Sequence, residues 1–193
     1  MRQLSFLFIC SILFFVSCGD AGKDKAAGQS GQKPSAPPAS RLNGEGTGKV
    51  VNLLVKYYDL KNALVKTDGT EAAMAAEKLA MVAADLHVHT VSDSAAGAAL
   101  NTHLDTIQQS SMEISKAHPS EVEAMRTSFE KVSDNMFALL KKADLKNANV
   151  YRQYCPMAFN DKGAFWLAEE SEIRNPYFGK KMLECGEVTD SLK

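Results

Sequence analysis

Apolar side chains recur at helical spacing from Lys49 to Ala143, and this periodicity limits what the chain can fold into more than any other feature. The clearest stretch lies near the end of this range, where apolar residues follow one another at intervals of three and four. Because residues three and four apart lie on one face of an α-helix, the stretch predicts an amphipathic helix with one face in a core. Its apolar stripe consists of Val122, Met125, Phe129, Val132, Met136 and Leu139.

Three similar stripes come before this one, and short breaks separate them. Asp68, with Glu71 three residues later, is typical of a helix N-terminus; Val91–Gly97 contains Ser, Asp and Gly, and Pro119 marks the last junction. Four amphipathic helices joined by short breaks predict an all-α fold, an antiparallel four-helix bundle over residues 48–145. The three stripes consist of Val50, Leu53, Leu54, Tyr57, Leu60 and Leu64; of Ala72, Ala75, Leu79, Val82 and Leu86; and of Leu100, Leu104, Ile107, Ser111 and Ile114.

The last part of the chain, residues 146–193, has a different composition, rich in aromatic residues, glycine and proline. Tyr151–Cys155 is too short and too aromatic for another bundle helix, and it predicts a strand. Gly163–Leu167 then predicts the returning strand of a hairpin. Such a segment cannot bury a core of its own, so we expect it to pack on the bundle through Trp166 and Tyr177. The predicted fold is therefore a helical bundle with an irregular or β-hairpin segment packed on it.

The N-terminus resembles an export signal. Leu4–Val16 is apolar apart from two serines, and it is too short to span a bilayer. It predicts a signal peptide over residues 1–17. The residues around Cys18 resemble a bacterial lipobox, although Phe15 stands where leucine is usual, so Cys18 is predicted to become the lipidated first residue. The alternative is an ordinary secretory signal that is cut nearby, without lipidation.

Residues 18–47 consist mainly of Gly, Ala, Ser, Pro, Lys and Gln, with Leu42 as the exception. A stretch of this kind cannot bury a core, so it predicts a flexible lipidated tether that attaches the chain to a membrane. Residues 48–193 are then a single domain. The predicted location is the cell envelope, as a periplasm-facing or outer-membrane lipoprotein.

Two function classes find no support in the sequence. The net charge is −1 and the isoelectric point is about 6.4, whereas proteins that bind nucleic acid usually carry a basic face, so no nucleic acid partner is expected. The sequence contains no nucleophile elbow, no Gly-rich phosphate loop and no H-E-x-x-H zinc motif. We therefore expect a protein that is not an enzyme.

Soft sulfur ligands occur in two pairs near the end of the chain. Cys155 and Met157 are two residues apart and share a face if the strand continues, while Met182 and Cys185 are three apart and share a face on a helical turn. Thiolates and thioethers suit Cu(I), for which Ag(I) is a mimic, better than they suit Zn²⁺ or hard cations. The pairs predict a Cu(I) site of two thiolates and one or two thioethers, in a dry pocket shaped by Tyr154, Trp166 and Tyr177.

A disulfide between Cys155 and Cys185 is the alternative, since an exported protein meets an oxidising compartment. The protein is then a structural or interaction lipoprotein with a protein partner. The metal-bound thiolates and the disulfide can also be the two states of a redox switch, because only the thiolate form binds metal. Two further methionines, Met74 and Met81, lie seven apart on the second helix and are predicted to pack between helices rather than to bind copper.

The end of the chain resembles a bacterial family known as domain of unknown function 3347. The resemblance covers about residues 48–190, and its specific part is the last forty residues. It rests above all on two segments, Tyr154-Cys155-Pro156-Met157-Ala158 and Asn175-Pro176-Tyr177-Phe178-Gly179, with support from Arg126, Phe129 and Ser133.

That family occurs alone in exported proteins and attached to periplasmic adaptors of heavy-metal efflux pumps. The resemblance therefore implies copper handling, with heavy-metal efflux components as partners and Cys155, Met157, Met182 and Cys185 as candidate ligands. The chain has no room for the hairpin and barrel domains of an adaptor, so it is not expected to be the adaptor itself. The predicted function is an exported lipoprotein that binds Cu(I) for buffering or for delivery to an efflux system.

Overall fold

A computed structural model describes residues 36–91 and 96–192. The predicted signal peptide, residues 1–17, and the predicted lipidation site, Cys18, lie outside the described residues. None of the helices formed by the described residues has the length and apolar character of a membrane span.

Four long helices build the first part of the domain, as the apolar periodicity predicted. They are α1 (Gly44–Lys66), α2 (Gly69–Val91), α3 (Ala96–Lys116) and α4 (Val122–Ala143). Helices that follow each other in the chain pack side by side, α1 on α2, α2 on α3 and α3 on α4. The predicted stripes form the common core, in which the side chains of Phe129 and its neighbours on the stripe of α4 are buried. The prediction of a four-helix bundle is confirmed.

Local hydrogen bonds define where α1 and α2 begin and end. The Asn43 side chain caps α1 by accepting a hydrogen bond from the Gly46 N–H at 2.7 Å. Helix α1 ends at Thr67, whose φ of 60° is left-handed and reverses the chain. The Asp68 side chain then accepts a hydrogen bond from the Glu71 N–H at 2.9 Å, which confirms the predicted helix start.

The domain begins earlier than the composition of residues 18–47 predicted. Helix α1 starts at Gly44, and Leu42 in front of it is buried in the core. The Arg41 N–H donates a hydrogen bond to the Ala143 carbonyl at 2.8 Å, which holds this segment against the end of α4. One apolar side chain and backbone hydrogen bonds are sufficient to dock a polar segment, and composition does not report either of them.

The positions of the two methionines of α2 differ from the prediction that they pack between helices. Met74 and Met81 are 55% and 60% exposed, so they do not pack between helices. The reason is that small alanine side chains already fill the buried stripe of α2, around Leu79, and this leaves both methionines on the outer face.

A small antiparallel sheet follows the helices. Its strands are β1 (Val150–Cys155), β2 (Ala164–Ala168) and β3 (Glu187–Leu192), in the order β2-β1-β3. The predicted hairpin of β1 and β2 is confirmed, with Gln153 opposite Trp166 in the register. The sequence analysis did not predict strand β3. Its residues are mostly exposed and form no apolar face, and the strand pairs with β1 through backbone hydrogen bonds.

Aromatic residues and one hydroxyl group attach the sheet to the bundle. The Tyr57 ring of α1 stacks on Phe129 of α4 with 5.3 Å between the ring centroids. The Tyr57 hydroxyl accepts a hydrogen bond from the Leu167 N–H of β2 at 2.9 Å and shares another with the Ser133 hydroxyl at 2.8 Å. Since Trp166 on the same strand is fully buried, β2 is fixed at the junction of α1 and α4.

We expect Tyr57→Phe to lower the free energy of unfolding by about 1–3 kcal/mol, because it leaves a buried N–H and a buried hydroxyl without their partner. Urea unfolding followed by circular dichroism measures this loss. Tyr58→Phe is the matched control, since the buried Tyr58 hydroxyl has no hydrogen-bond partner in residues 36–91 and 96–192. The control is expected to be neutral or stabilising, and equal losses in both variants would contradict the assigned role of Tyr57.

Candidate soft-metal centre

The two cysteines that are thirty residues apart in sequence meet in the structure, with 2.9 Å between their Sγ atoms. Cys155 is the last residue of β1 and is buried, while Cys185 lies just before β3 and is partly buried. Both thiols are free. Because β1 pairs with β3 on one side, the sheet brings the end of β1 next to the start of β3. This juxtaposition is required by both sequence interpretations, the metal site and the disulfide.

Asn175 holds the segment that carries Cys185, a role that the sequence interpretation did not assign. Its buried side chain donates a hydrogen bond to the Cys185 carbonyl at 2.7 Å. The same side chain accepts hydrogen bonds from the N–H groups of Tyr177, at 2.8 Å, and Phe178, at 3.3 Å. The sequence signal for this role is Asn followed by Pro, which is typical of a turn closed by the Asn side chain.

The two methionines of the predicted site both line a cavity of about 460 Å³. Met157 is 46% exposed and Met182 is partly buried. Neither Cys155 nor Cys185 lines this cavity. Strand β1 ends at Cys155, so Met157 does not continue the strand face that the sequence interpretation assumed. The four predicted sulfur ligands are therefore divided between two thiols in contact and two methionines that line a cavity without the cysteines.

The three residues that were predicted to shape a pocket have different positions. Tyr177 lines the methionine cavity, and its ring contacts Phe159 at 5.3 Å between centroids. Trp166 is buried behind it, 6.0 Å from the Tyr177 ring. Tyr154 does not line this cavity, and its ring lies against Phe165 with 4.5 Å between centroids.

Gly186, directly after Cys185, lies where a side chain cannot fit. Its φ is +147°, and a Cβ atom there would lie 2.8 Å from the Trp166 ring and 2.8 Å from the Tyr154 carbonyl oxygen. The backbone next to Cys185 can therefore approach β1 and the tryptophan closely.

A buried arginine connects the same segment to the bundle. Arg126 of α4 donates from Nε to the Pro176 carbonyl at 2.8 Å and from Nη2 to the Leu64 carbonyl at 3.3 Å. It also donates to the Thr67 hydroxyl at 3.1 Å and pairs with Glu123 at 2.8 Å. One guanidinium group thus fixes the end of α1 and the turn that precedes Met182 and Cys185.

The pKa of the Cys185 thiol is raised from its ordinary value of 9.0 to about 11. The hydrogen bond with Cys155 is the main cause, and burial is the second. A raised pKa means that folding favours the protonated thiol, so its contribution to the stability of the metal-free fold is present below pH 9 and is lost as the pH rises through about 11. At neutral pH, a metal must displace the proton of Cys185 to bind there.

Other ligand types do not converge on this place. Within the part of the chain that the structure describes, no three or more His, Cys, Asp and Glu side chains are grouped as a metal site requires. The imidazole of His103 instead bonds to Asn135 at 2.9 Å, and that of His118 to Ser120 at 2.8 Å.

The fold and the site together define a helical-bundle domain with a small C-terminal sheet that carries a thiol pair. The family described as "Protein of unknown function (DUF3347)" matches residues 53–148, and through this match the chain belongs to that family. The match covers most of the bundle and ends just before β1, so the sulfur residues lie beyond it. No curated protein and no solved structure matches the chain.

Proposed function

We propose that the protein binds a soft monovalent metal ion, Cu(I), between the thiolates of Cys155 and Cys185. The observation that carries the proposal is the 2.9 Å approach of the two Sγ atoms at the junction of β1 and β3. Two thiolates are soft ligands that suit Cu(I), whereas structural Zn²⁺ sites take four ligands and Mg²⁺ takes oxygen ligands. Metal–thiolate bonds are about 2.3 Å long, so the sulfurs must move apart as the ion enters between them.

The cellular role that we propose is the buffering of Cu(I) or its delivery to heavy-metal efflux components, by a lipoprotein anchored through Cys18. The apolar N-terminal segment and the lipobox-like residues support export and anchoring. A buffer or carrier needs a site at the surface of a stable domain, and the partly exposed Cys185 supports such a role.

The second candidate function is structural, with Cys155 and Cys185 joined as a disulfide and the bundle surface free to bind a protein partner. The same short approach of the sulfurs supports it. In the chain-entropy model, a disulfide that closes a loop of this length contributes about 3–4 kcal/mol to stability. Oxidising conditions outside the cytoplasm favour this state.

Thiol alkylation followed by intact mass measurement tests the two functions in one experiment. The protein is the full chain with Cys10→Ser and Cys18→Ser, named here the two-thiol background, in which Cys155 and Cys185 are the remaining thiols. We expect two alkyl groups on the reduced protein and none when one equivalent of Cu(I) is added first. Unprotected thiols in the presence of Cu(I) would refute the metal site. Two cysteines that stay unalkylated after treatment with mild reductant alone would favour the disulfide.

The pH dependence of binding follows from the proton that each thiol releases to the metal, and the raised pKa of Cys185 extends this dependence to higher pH. Because Cu(I) must displace a proton that the thiol holds up to about pH 11, we expect the apparent affinity to rise by about tenfold per pH unit for each proton released. Competition with a chelator whose affinity is known at pH 6, 7 and 8 measures this slope. An affinity independent of pH would show that Cys185 is not a ligand.

A further inference from the structure

The cavity that holds Met157 and Met182 has the chemistry of a cation site in its own right. Met157 and Met182 line a space of about 460 Å³, together with Phe159, Tyr177 and Phe178. Thioethers are soft ligands, and aromatic faces attract cations.

Two residues with carboxylate side chains also line this cavity. Asp161 lines it beside Met157, and Glu123 lines it from α4. Glu123 is already paired with Arg126 at 2.8 Å and lies 3.9 Å from the Lys181 ammonium, so its charge is largely balanced. Asp161 therefore contributes more of the negative charge that raises the local concentration of cations.

The wall of the cavity includes a strained segment. Phe159, Asn160 and Asp161 have φ values of 53°, 57° and 64°, the left-handed region that residues other than glycine rarely adopt. The cost is about 1–2 kcal/mol at Phe159 and smaller at Asn160 and Asp161, because Asn and Asp adopt this region more readily than other residues with a side chain. A hydrogen bond from the Gly163 N–H to the Ala158 carbonyl, at 2.9 Å, closes the turn. The turn places Met157 and Asp161 on the same cavity.

We propose that Met157 and Met182 form a separate thioether site, which binds a soft monovalent cation when the cysteines are oxidised. This inference rests on the proposed function, because it assigns to the methionines the same kind of ion that the thiolates hold more tightly in the reduced protein. A thioether is neutral and is not consumed when two thiols form a disulfide, so this site keeps its ligands in both redox states. It is weaker than the thiolate pair, because it lacks anionic sulfur.

The test is a titration of Ag(I) into the two-thiol background after oxidation, and into the same chain with Cys155→Ser and Cys185→Ser. The readout is the NMR spectrum of methionine methyl groups labelled with ¹³C, of which the chain has eight. We expect two methyl signals to shift and saturate together, and Met157→Leu and Met182→Leu to remove one each. The affinity for Ag(I) is expected to fall at least about tenfold in either variant.

The matched control is Met74→Leu with Met81→Leu, which alters two exposed methionines on α2, and it is expected to leave Ag(I) binding unchanged. The inference would be overturned by the absence of methyl shifts in both thiol-free samples, or by equal loss of binding in the control. Failure of the thiolate site is recognised separately, because it removes protection of the reduced thiols and leaves the methionine signals as expected.

Discussion

Replacing Cys155 with serine is expected to weaken Cu(I) binding to the reduced protein by at least about 100-fold. Structural Zn²⁺ sites bind with about 10–16 kcal/mol through four ligands, or about 3 kcal/mol for each ligand, and a site of two thiolates is expected to lose at least that much with either sulfur. Cys155 is fully buried at the end of β1, and serine is close to cysteine in size, so the fold is expected to survive the change. Competition with a Cu(I) chelator measures the loss in the two-thiol background.

The controls for this prediction separate binding from folding. Thermal unfolding of Cys155→Ser, followed by circular dichroism, shows whether the domain is intact. Cys185→Ser is expected to give a similar loss, since the two sulfurs lie together. If Cys155→Ser binds Cu(I) as tightly as the parent, the thiol pair is not the metal site.

The second large effect concerns Arg126, which is 1% exposed and makes hydrogen bonds to both α1 and the turn at Pro176. Arg126→Met is expected to lower the free energy of unfolding by about 3–5 kcal/mol, because it removes the donor to the Pro176 carbonyl in a buried place and the hydrogen bonds to the Leu64 carbonyl and the Thr67 hydroxyl. Urea unfolding measures the change. Arg126→Lys keeps the charge but not the planar fork, so we expect a smaller loss.

Arg152 provides a matched control for this prediction. It is a partly buried arginine of β1 that lies over the Phe165 ring at 3.7 Å. Contacts of this kind are worth about 0.5–2 kcal/mol, so Arg152→Met is expected to cost clearly less than Arg126→Met. A loss below about 1 kcal/mol for Arg126→Met would contradict the structural role that we assign to the guanidinium group.

The helices could be predicted because their signals are local. The apolar residues of each stripe recur at intervals of three and four. The Asp68 side chain caps α2 by accepting a hydrogen bond from the N–H of Glu71, only three residues later. The hairpin of β1 and β2 could be predicted for the same reason, since its two strands are close together in the sequence. In contrast, β3 is a polar, exposed edge strand whose partner is about 35 residues away, and its pairing depends on backbone groups that every sequence has.

The candidate site was predictable in its residue types and not in its arrangement. Four sulfur residues in one stretch indicated soft chemistry, but their grouping depends on where β1 ends and on how Asn175 holds the segment before β3. The end of β1 at Cys155 separates Met157 from the thiols and places it on the cavity with Met182. The buried hydrogen bonds of Arg126 likewise depend on tertiary contacts that a single sequence does not display.

The central claim is tested most directly by an anaerobic titration of Cu(I) into the reduced two-thiol background, in competition with a chromogenic chelator. The account predicts that one equivalent of Cu(I) per chain leaves the chelator and stays with the protein. If the chelator keeps all of the copper at comparable concentrations, Cys155 and Cys185 do not form a Cu(I) site, and the account is contradicted.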